Sequence, residues 1–304
     1  MAPSRYLYLN GKVLPYDEAR IHVQSAAVKF GASVFEGLRA YWSPTQGELY
    51  VFRLQEHIDR LYDSMRLMRM EHHFTREELA SSVLEVLRKN EYREDVHIRQ
   101  TALVEADADL AATGPVGLAV DALPRKLAGK GVDVCVSSWL RIADASMPPR
   151  IKCSANYQNS RLATLEAKLN GYDTALILNG RGKLAEAPGA CCFVVRHGVP
   201  TTPPVTADIL ESITRATLLE LFPKELGLTP DVRDVDRTEV CVADEAFLCG
   251  SGWEITPVLS VDKLPLGDGR EPGPVTRAIA DCYFAVARGE KPAYRSWLTP
   301  VYGR

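Results

Sequence analysis

The sequence predicts a mixed α+β chain in two halves. Strand-like segments outnumber helix-like ones, the two kinds do not alternate as regular βαβ units, and a stretch with Pro, Gly and basic residues at 121–132 separates two patterned regions. A length of 304 residues agrees with one large or two medium domains. The expected division is a small N-terminal domain at 1–120, a linker at 121–132 and a larger domain at 133–304.

The elements follow in order. YLYLNGKVLP at 6–15 alternates about Asn10-Gly11, the dipeptide of a tight hairpin turn, so two short strands are predicted there. Between Arg53 and Arg69 the apolar residues Leu54, Ile58, Leu61, Met65, Leu67 and Met68 recur at helical spacing. Thr75 and Glu78 form a capping box that starts a second helix running to about Lys89. HIRQTALVEA at 97–106 reads as a strand. Beyond the linker, VDVCVSSW is a strand, and Ser160 to Asn170 a helix stopped by Gly171, the usual left-handed residue past a helix end. TALILN, CCFVVR and EVCVADEAFLCG at 239–250 read as strands, with helices near 212–222 and 274–288.

Composition narrows the function. Apolar residues make up 46% and charged residues 25%, and a net charge of −3 gives no electrostatic reason to bind nucleic acid or an anionic membrane. No apolar run approaches the ~18 residues that span a bilayer, and the N-terminus lacks a signal-peptide pattern, so a cytoplasmic chain is expected. Seven cysteines without a Cys-x-x-Cys or a His at ligand spacing support neither a disulfide framework nor a metal site, and no metal is expected.

The chain has 11 lysines against 25 arginines, which makes a reactive lysine easier to find. Lys152 stands out because Cys153, Ser154 and Ala155 leave room beside its nitrogen and Asn156 and Tyr157 follow. A lysine that condenses with a carbonyl needs a partly desolvated pocket or a neighbouring cation or cofactor. A solvated surface ammonium is the plain alternative. Glu186 enters a Pro188-Gly189 turn before an apolar strand, where a surface turn carboxylate is the plain reading. ESITRATLLE and CGSGWEITPV each begin with a hydroxyl and backbone N–H groups suited to a phosphate. Arg60 lies among Ile58 and Leu61, where a salt bridge would suffice. Arg99, inside a strand, needs a partner or an anionic ligand, and His97 faces the same side.

Taken in order, YLNGK, HVQSAAVKFGASVFEGLRAY, FRLQEHIDRL, IKCSANYQNS, LAEAPG, ESITRATL, ADEAFLCGSGWEITPV and GPVTRAI resemble the branched-chain amino-acid aminotransferases. These are class IV, or fold-type IV, pyridoxal 5′-phosphate enzymes. The resemblance runs from residue 6 to about 290. It implies a small N-terminal α/β domain and a larger, barrel-like mixed α/β domain. It also implies that Lys152 carries the cofactor and moves the substrate's Cα proton, that Tyr157 lies beside the ring phenolate, and that Glu186 keeps the ring nitrogen protonated. Arg60 looks like the phosphate anchor, completed by Ile213, Thr214, Gly250 and Ser251. For substrate, the resemblance implies Phe35, Gly37 and Arg39 in the small domain, Arg99 for the distal carboxylate of glutamate or 2-oxoglutarate, and Gly252 near the substrate carboxylate.

The implied activity is transamination between a branched-chain or similar hydrophobic L-amino acid and 2-oxoglutarate, by a homodimer or larger homo-oligomer. Departures from the family pattern bear on substrate choice. Ala190 and Cys191 replace a polar pair after Glu186, Phe30 and His97 stand where Tyr is common, and Trp253 replaces a small residue. Either Trp253 narrows the pocket or its ring points outward. The alternatives are a D-amino-acid or (R)-amine transaminase or an aminodeoxychorismate lyase, which share the same machinery, and a non-catalytic binding protein on the same scaffold.

Overall fold

The computed structural model describes residues 4–107, 109–125 and 131–303. In chain order the strands are β1 (Tyr6–Leu9), β2 (Lys12–Pro15), β3 (Ser33–Ser43), β4 (Glu48–Phe52), β5 (Val96–Val104), β6 (Val116–Pro124), β7 (Val132–Leu140), β8 (Thr174–Leu178), β9 (Leu184–Glu186), β10 (Cys191–Arg196), β11 (Val199–Thr202), β12 (Asp231–Val232), β13 (Glu245–Gly250), β14 (Glu254–Val261), β15 (Leu264–Pro265) and β16 (Leu298–Pro300). The α-helices are α1 (Ala26–Phe30), α2 (Leu54–Leu67), α3 (Arg76–Asn90), α4 (Tyr157–Leu169), α5 (Ile213–Leu221), α6 (Arg237–Cys241) and α7 (Pro274–Ala287).

The chain divides into two compact units. The first comprises 1–126, 151–155 and 285–304, and the second 127–150 and 156–284. The first therefore takes back two stretches that a simple division at 121–132 assigns to the larger domain. Hydrogen bonds explain both. The Phe35 amide donates to the Lys152 carbonyl at 2.9 Å and the Ser33 hydroxyl to Ser154 Oγ at 2.9 Å, fastening 151–155 along β3. β16 pairs antiparallel with β4, Leu298 opposite Phe52. The expected linker also begins too early: β6 continues to Pro124, and its pairing with β5 runs from Val96 opposite Pro124 to Val104 opposite Val116. Residues 126–130 of that stretch lie outside the described residues.

In the first unit the strands order as β16-β4-β3-β5-β6-β1-β2. The predicted hairpin closes through Asn10 (φ 48°) and Gly11 (φ 85°), two positive-φ residues as a two-residue hairpin turn of this hand requires. α2 buries Leu54, Ile58, Leu61 and Met65 at the spacing read from the sequence. α3 starts at the predicted capping box, with the Glu78 amide donating to Thr75 Oγ1 at 3.1 Å and the Thr75 amide to Glu78 Oε2 at 2.8 Å.

The second unit carries a sheet ordered β12-β11-β10-β13-β14-β7-β8-β9, with β15 added beside β14, curled into a half-barrel. β7 pairs parallel with both β8 and β14. α4 begins a turn earlier than expected, at Tyr157, and rests on Cys135, Ala175 and Ile177 through Ala163 and Ala167, whose small side chains allow close approach. Gly171 (φ 79°) follows its end as predicted. The segment read as one strand at 239–250 is two elements: α6 holds Arg237–Cys241 and the strand starts at Glu245. A five-residue helix is too short to display a 3.6-residue period, so Val-Cys-Val imitated strand alternation.

Candidate active site

The first unit holds Phe30, Phe35, Gly37, Arg39, Arg60, His97, Arg99 and Lys152. Side chains alternate along a strand, so Phe35, Gly37 and Arg39 of β3 share one face and Glu36 takes the other. Antiparallel pairing sets Arg99 opposite Gly37, His97 opposite Arg39, and Asp121 of β6 opposite Arg99. On this face the Arg99 guanidinium stacks 3.6 Å from the Phe35 ring centroid, and Lys152 Nζ lies 4.9 Å from the same centroid. Lys152 is 9% exposed, and its amide donates to Ser64 Oγ of α2 at 3.2 Å. Its backbone is thus tied from both sides, by β3 and by α2.

Gly37 lies against His97: a Cβ there would stand 3.4 Å from His97 Nε2, an ordinary contact distance. The His97 ring is driven far below its ordinary value, to about 3, by burial first and then by the cations Arg125, Arg39, Arg99 and Lys152. Asp121 is raised by burial, a shift that Arg99 opposes. This face is therefore cationic with a neutral imidazole, the electrostatics of an anion site. Phe30 stands apart at the end of α1, 42% exposed, with Lys29 Nζ 5.3 Å from its ring.

On the opposite face of β3, sequence reasoning missed a cluster. Glu36 is fully buried; Arg60 donates to it through Nε at 2.8 Å and Nη2 at 2.7 Å, and His57 Nδ1 lies 2.7 Å from its Oε2. Burial would raise the Glu36 carboxyl, but Arg60 and His57 outweigh it and bring the carboxyl down to about 2. His57 is lowered by burial, against the pull of Glu36 and with the push of Arg60 and Lys152, so the neutral ring donates from Nδ1. The available signal was the spacing His57-x-x-Arg60, which puts both on one helix face.

The second unit holds Tyr157, Glu186, Ile213, Thr214, Gly250, Ser251, Gly252 and Trp253. Glu186, last residue of β9, is buried and not a surface turn carboxylate. Arg141, also buried and unforeseen, brings Nη2 to 2.8 Å from Glu186 Oε1 and Nη1 to 3.4 Å from Asn159 Oδ1. The Leu210 amide donates to Glu186 Oε2 at 3.2 Å, and Cys191 Sγ lies 3.9 Å from that oxygen. Where the polar pair is missing, an arginine and a backbone amide hold the carboxylate.

Ser212 caps α5 by accepting the Arg215 amide, leaving the Ile213 and Thr214 amides in the first turn, where no intrahelical acceptor exists. Gly250 ends β13, and residues 251–253 turn into β14. A Cβ on Gly250 would meet the Gly189 carbonyl at 3.3 Å, and one on Gly189 (φ 80°) would meet Trp253 Nε1 at 3.8 Å and Tyr157 Cε1 at 3.9 Å. Trp253 thus turns inward, against the turn after Glu186 and beside Tyr157. Among the described residues no group of three or more His, Cys, Asp and Glu is placed to hold a metal, and no helix is long and apolar enough to cross a membrane.

A buried lysine, an arginine-held carboxylate, an open helix start and a glycine turn are parts that group-transfer chemistry uses. Residues 33–261 match the family model described as amino-transferase class IV, and the chain belongs to that family of enzymes. It is 38% identical to a probable branched-chain-amino-acid aminotransferase of Aquifex aeolicus over 98% of this chain and 97% of that one. It is 36% identical to the branched-chain-amino-acid aminotransferase of Escherichia coli K12, over 97% of each. Among solved structures, the branched-chain amino acid aminotransferase of Thermobaculum terrenum in its PLP form is 43% identical with a TM-score of 0.92, covering 98% of this chain and 99% of that one. The branched-chain aminotransferase of Thermoproteus uzoniensis with norvaline is 38% identical with a TM-score of 0.93, over 98% of this chain and 100% of that one. These neighbours share the fold-type IV architecture.

Proposed function

We propose that the chain transfers the amino group of a branched-chain or similar hydrophobic L-amino acid to 2-oxoglutarate, using pyridoxal 5′-phosphate. The observation that carries this reading is Lys152, buried and braced through its backbone on the cationic face of Phe35, Arg99 and His97. The donor set fits the cofactor. Arg60 and the α5 start suit a phosphate, Gly250 keeps backbone close to the turn at Gly189, and buried Arg141 Nε has no hydrogen-bond partner among the described residues, a polar group awaiting a neighbour.

When bound, the cofactor supplies the carbonyl that accepts the amino group and a ring that withdraws electrons. Lys152 would hold it and move the proton at the substrate's Cα. Glu186, kept in place by Arg141 and the Leu210 amide, would hold the proton at the ring nitrogen, and Tyr157 would donate to the phenolate oxygen. Arg60, the Ile213 and Thr214 amides, Gly250 and Ser251 would bind the phosphate. Arg99 would take the distal carboxylate of 2-oxoglutarate, because a planar fork matches a carboxylate in two bonds. Arg39, Gly37, Phe30, Phe35, Gly252, His97 and Trp253 would shape the substrate's surroundings. A cytoplasmic homodimer is part of the proposal, supported by free cysteines and by exposed Tyr16, Ile21, Val23 and Val28 on one N-terminal stretch.

The test is a donor screen with 2-oxoglutarate as acceptor: leucine, D-alanine, 1-phenylethylamine and aminodeoxychorismate. Leucine should react with ping-pong kinetics and shift the visible absorption band, and Lys152→Ala should abolish turnover. Preference for any of the other three, or turnover retained in Lys152→Ala, refutes the reading.

A further inference from the structure

We propose that Glu36 is a positioning residue: its buried carboxylate sets the direction of the Arg60 guanidinium and thereby the chain's preference for a phosphate-bearing ligand. The inference rests on the reading of Arg60 as phosphate anchor.

The geometry lies within one unit. β3 directs Glu36 away from the Phe35 face, and α2 presents His57 and Arg60, three residues apart, to meet it. Two parallel N–H···O bonds from Nε and Nη2 lock the guanidinium into the plane of the carboxylate. His57 Nδ1 holds Oε2 from another direction, so the carboxylate itself cannot swing. An arginine side chain has many rotamers to lose, and a partner that removes that freedom beforehand favours the later ligand.

Charge works in the other direction. A carboxylate next to Arg60 weakens its attraction for a phosphate dianion, so if charge dominated, removing Glu36's charge would tighten phosphate binding. Two variants separate the effects. Glu36→Asp keeps the charge but withdraws the carboxylate by about one C–C bond, ~1.5 Å, out of two-bond reach. Glu36→Gln keeps the length but leaves one accepting oxygen and sets an N–H against the arginine's own.

The experiment uses the full chain freed of cofactor and measures the ratio of Kd for pyridoxal to Kd for pyridoxal 5′-phosphate by absorbance titration, with inorganic phosphate as competitor. A merely structural role would lower the melting temperature and leave this ratio alone. Expected is a fall in the ratio of about tenfold in Glu36→Asp, with pyridoxal binding within twofold of the parent, a fall also in Glu36→Gln, and a weaker phosphate competitor in both. Arg60→Lys should lose the ratio too, and Glu36→Asp added to it should change nothing further. A parent-like ratio in Glu36→Asp with a loss in Arg60→Lys overturns the role of Glu36 and leaves that of Arg60 standing. Should Glu36→Asp not fold, tighter phosphate binding in Glu36→Gln overturns it equally. A parent-like ratio in Arg60→Lys overturns the anchor reading and this inference with it.

Discussion

His97 offers a quantitative test of the cationic face. Its ring is held to about 3 by burial and by Arg125, Arg39, Arg99 and Lys152, whereas a histidine in the unfolded chain titrates near 6.5. As pH falls below about 6.5 the unfolded chain takes up a proton at this position and the folded chain does not. Stability is therefore lost with acidification, beginning at 6.5 and continuing toward 3. At pH 5 the shortfall spans about 1.5 pH units, or about 2 kcal/mol at 1.36 kcal/mol per unit. This figure does not depend on the folded value so long as that lies well below 5. His97→Gln removes the titrating group while keeping a polar side chain. Urea denaturation at pH 7.5 and pH 5.0 should show the parent losing about 2 kcal/mol more than His97→Gln between the two conditions, the other titrations cancelling in the difference. Equal losses would mean that His97 accepts a proton in the folded chain, and the cationic face would be refuted.

Arg141→Met leaves buried Glu186 with the Leu210 amide but without its cation. A cost of about 3 kcal/mol in urea denaturation is expected, the low end for a broken buried pair; a loss under about 1 kcal/mol counts against the pair. Thr75→Ala removes the acceptor for the Glu78 amide and should cost about 1 kcal/mol in chemical denaturation, while a change under a few tenths would show that the capping box is dispensable. Trp253→Ala, by clearing the indole from beside Tyr157 and Gly189, should raise kcat/KM for bulky 2-oxo acids relative to small ones; an unchanged ratio refutes a gating role for the ring.

What was legible in the sequence was local. The Asn10-Gly11 hairpin, the α2 stripe and the Thr75–Glu78 box depend on residues within a few positions of each other, and each formed where predicted. Lys152 could be singled out because lysine is scarce and small residues follow it. The partners of the charged groups were not legible. Glu36 finds Arg60 across 24 positions and Glu186 finds Arg141 across 45, through sheet and helix packing that no periodicity announces. For the same reason Glu186 read as a surface turn residue: the Pro-Gly beside it is a real turn signal, but the arginine that makes its burial tolerable comes from the end of β7.

These pairings give the imbalance of 25 arginines to 11 lysines a physical sense. Glu36 in the first unit and Glu186 in the second are buried carboxylates, and each is held by arginine. For Glu36 the hold is two parallel bonds that a single ammonium point cannot reproduce, and a guanidinium is less strongly hydrated and so less costly to bury. A lysine at 60 would keep the charge and lose the direction. The same reasoning explains why a lysine suits position 152. Under the proposed function one nitrogen there forms and releases a bond, a role that a guanidinium, always charged and delocalised, cannot fill. At Glu36 and Glu186 an arginine holds a charge fixed, and the proposed function places Lys152 where the nitrogen itself would react.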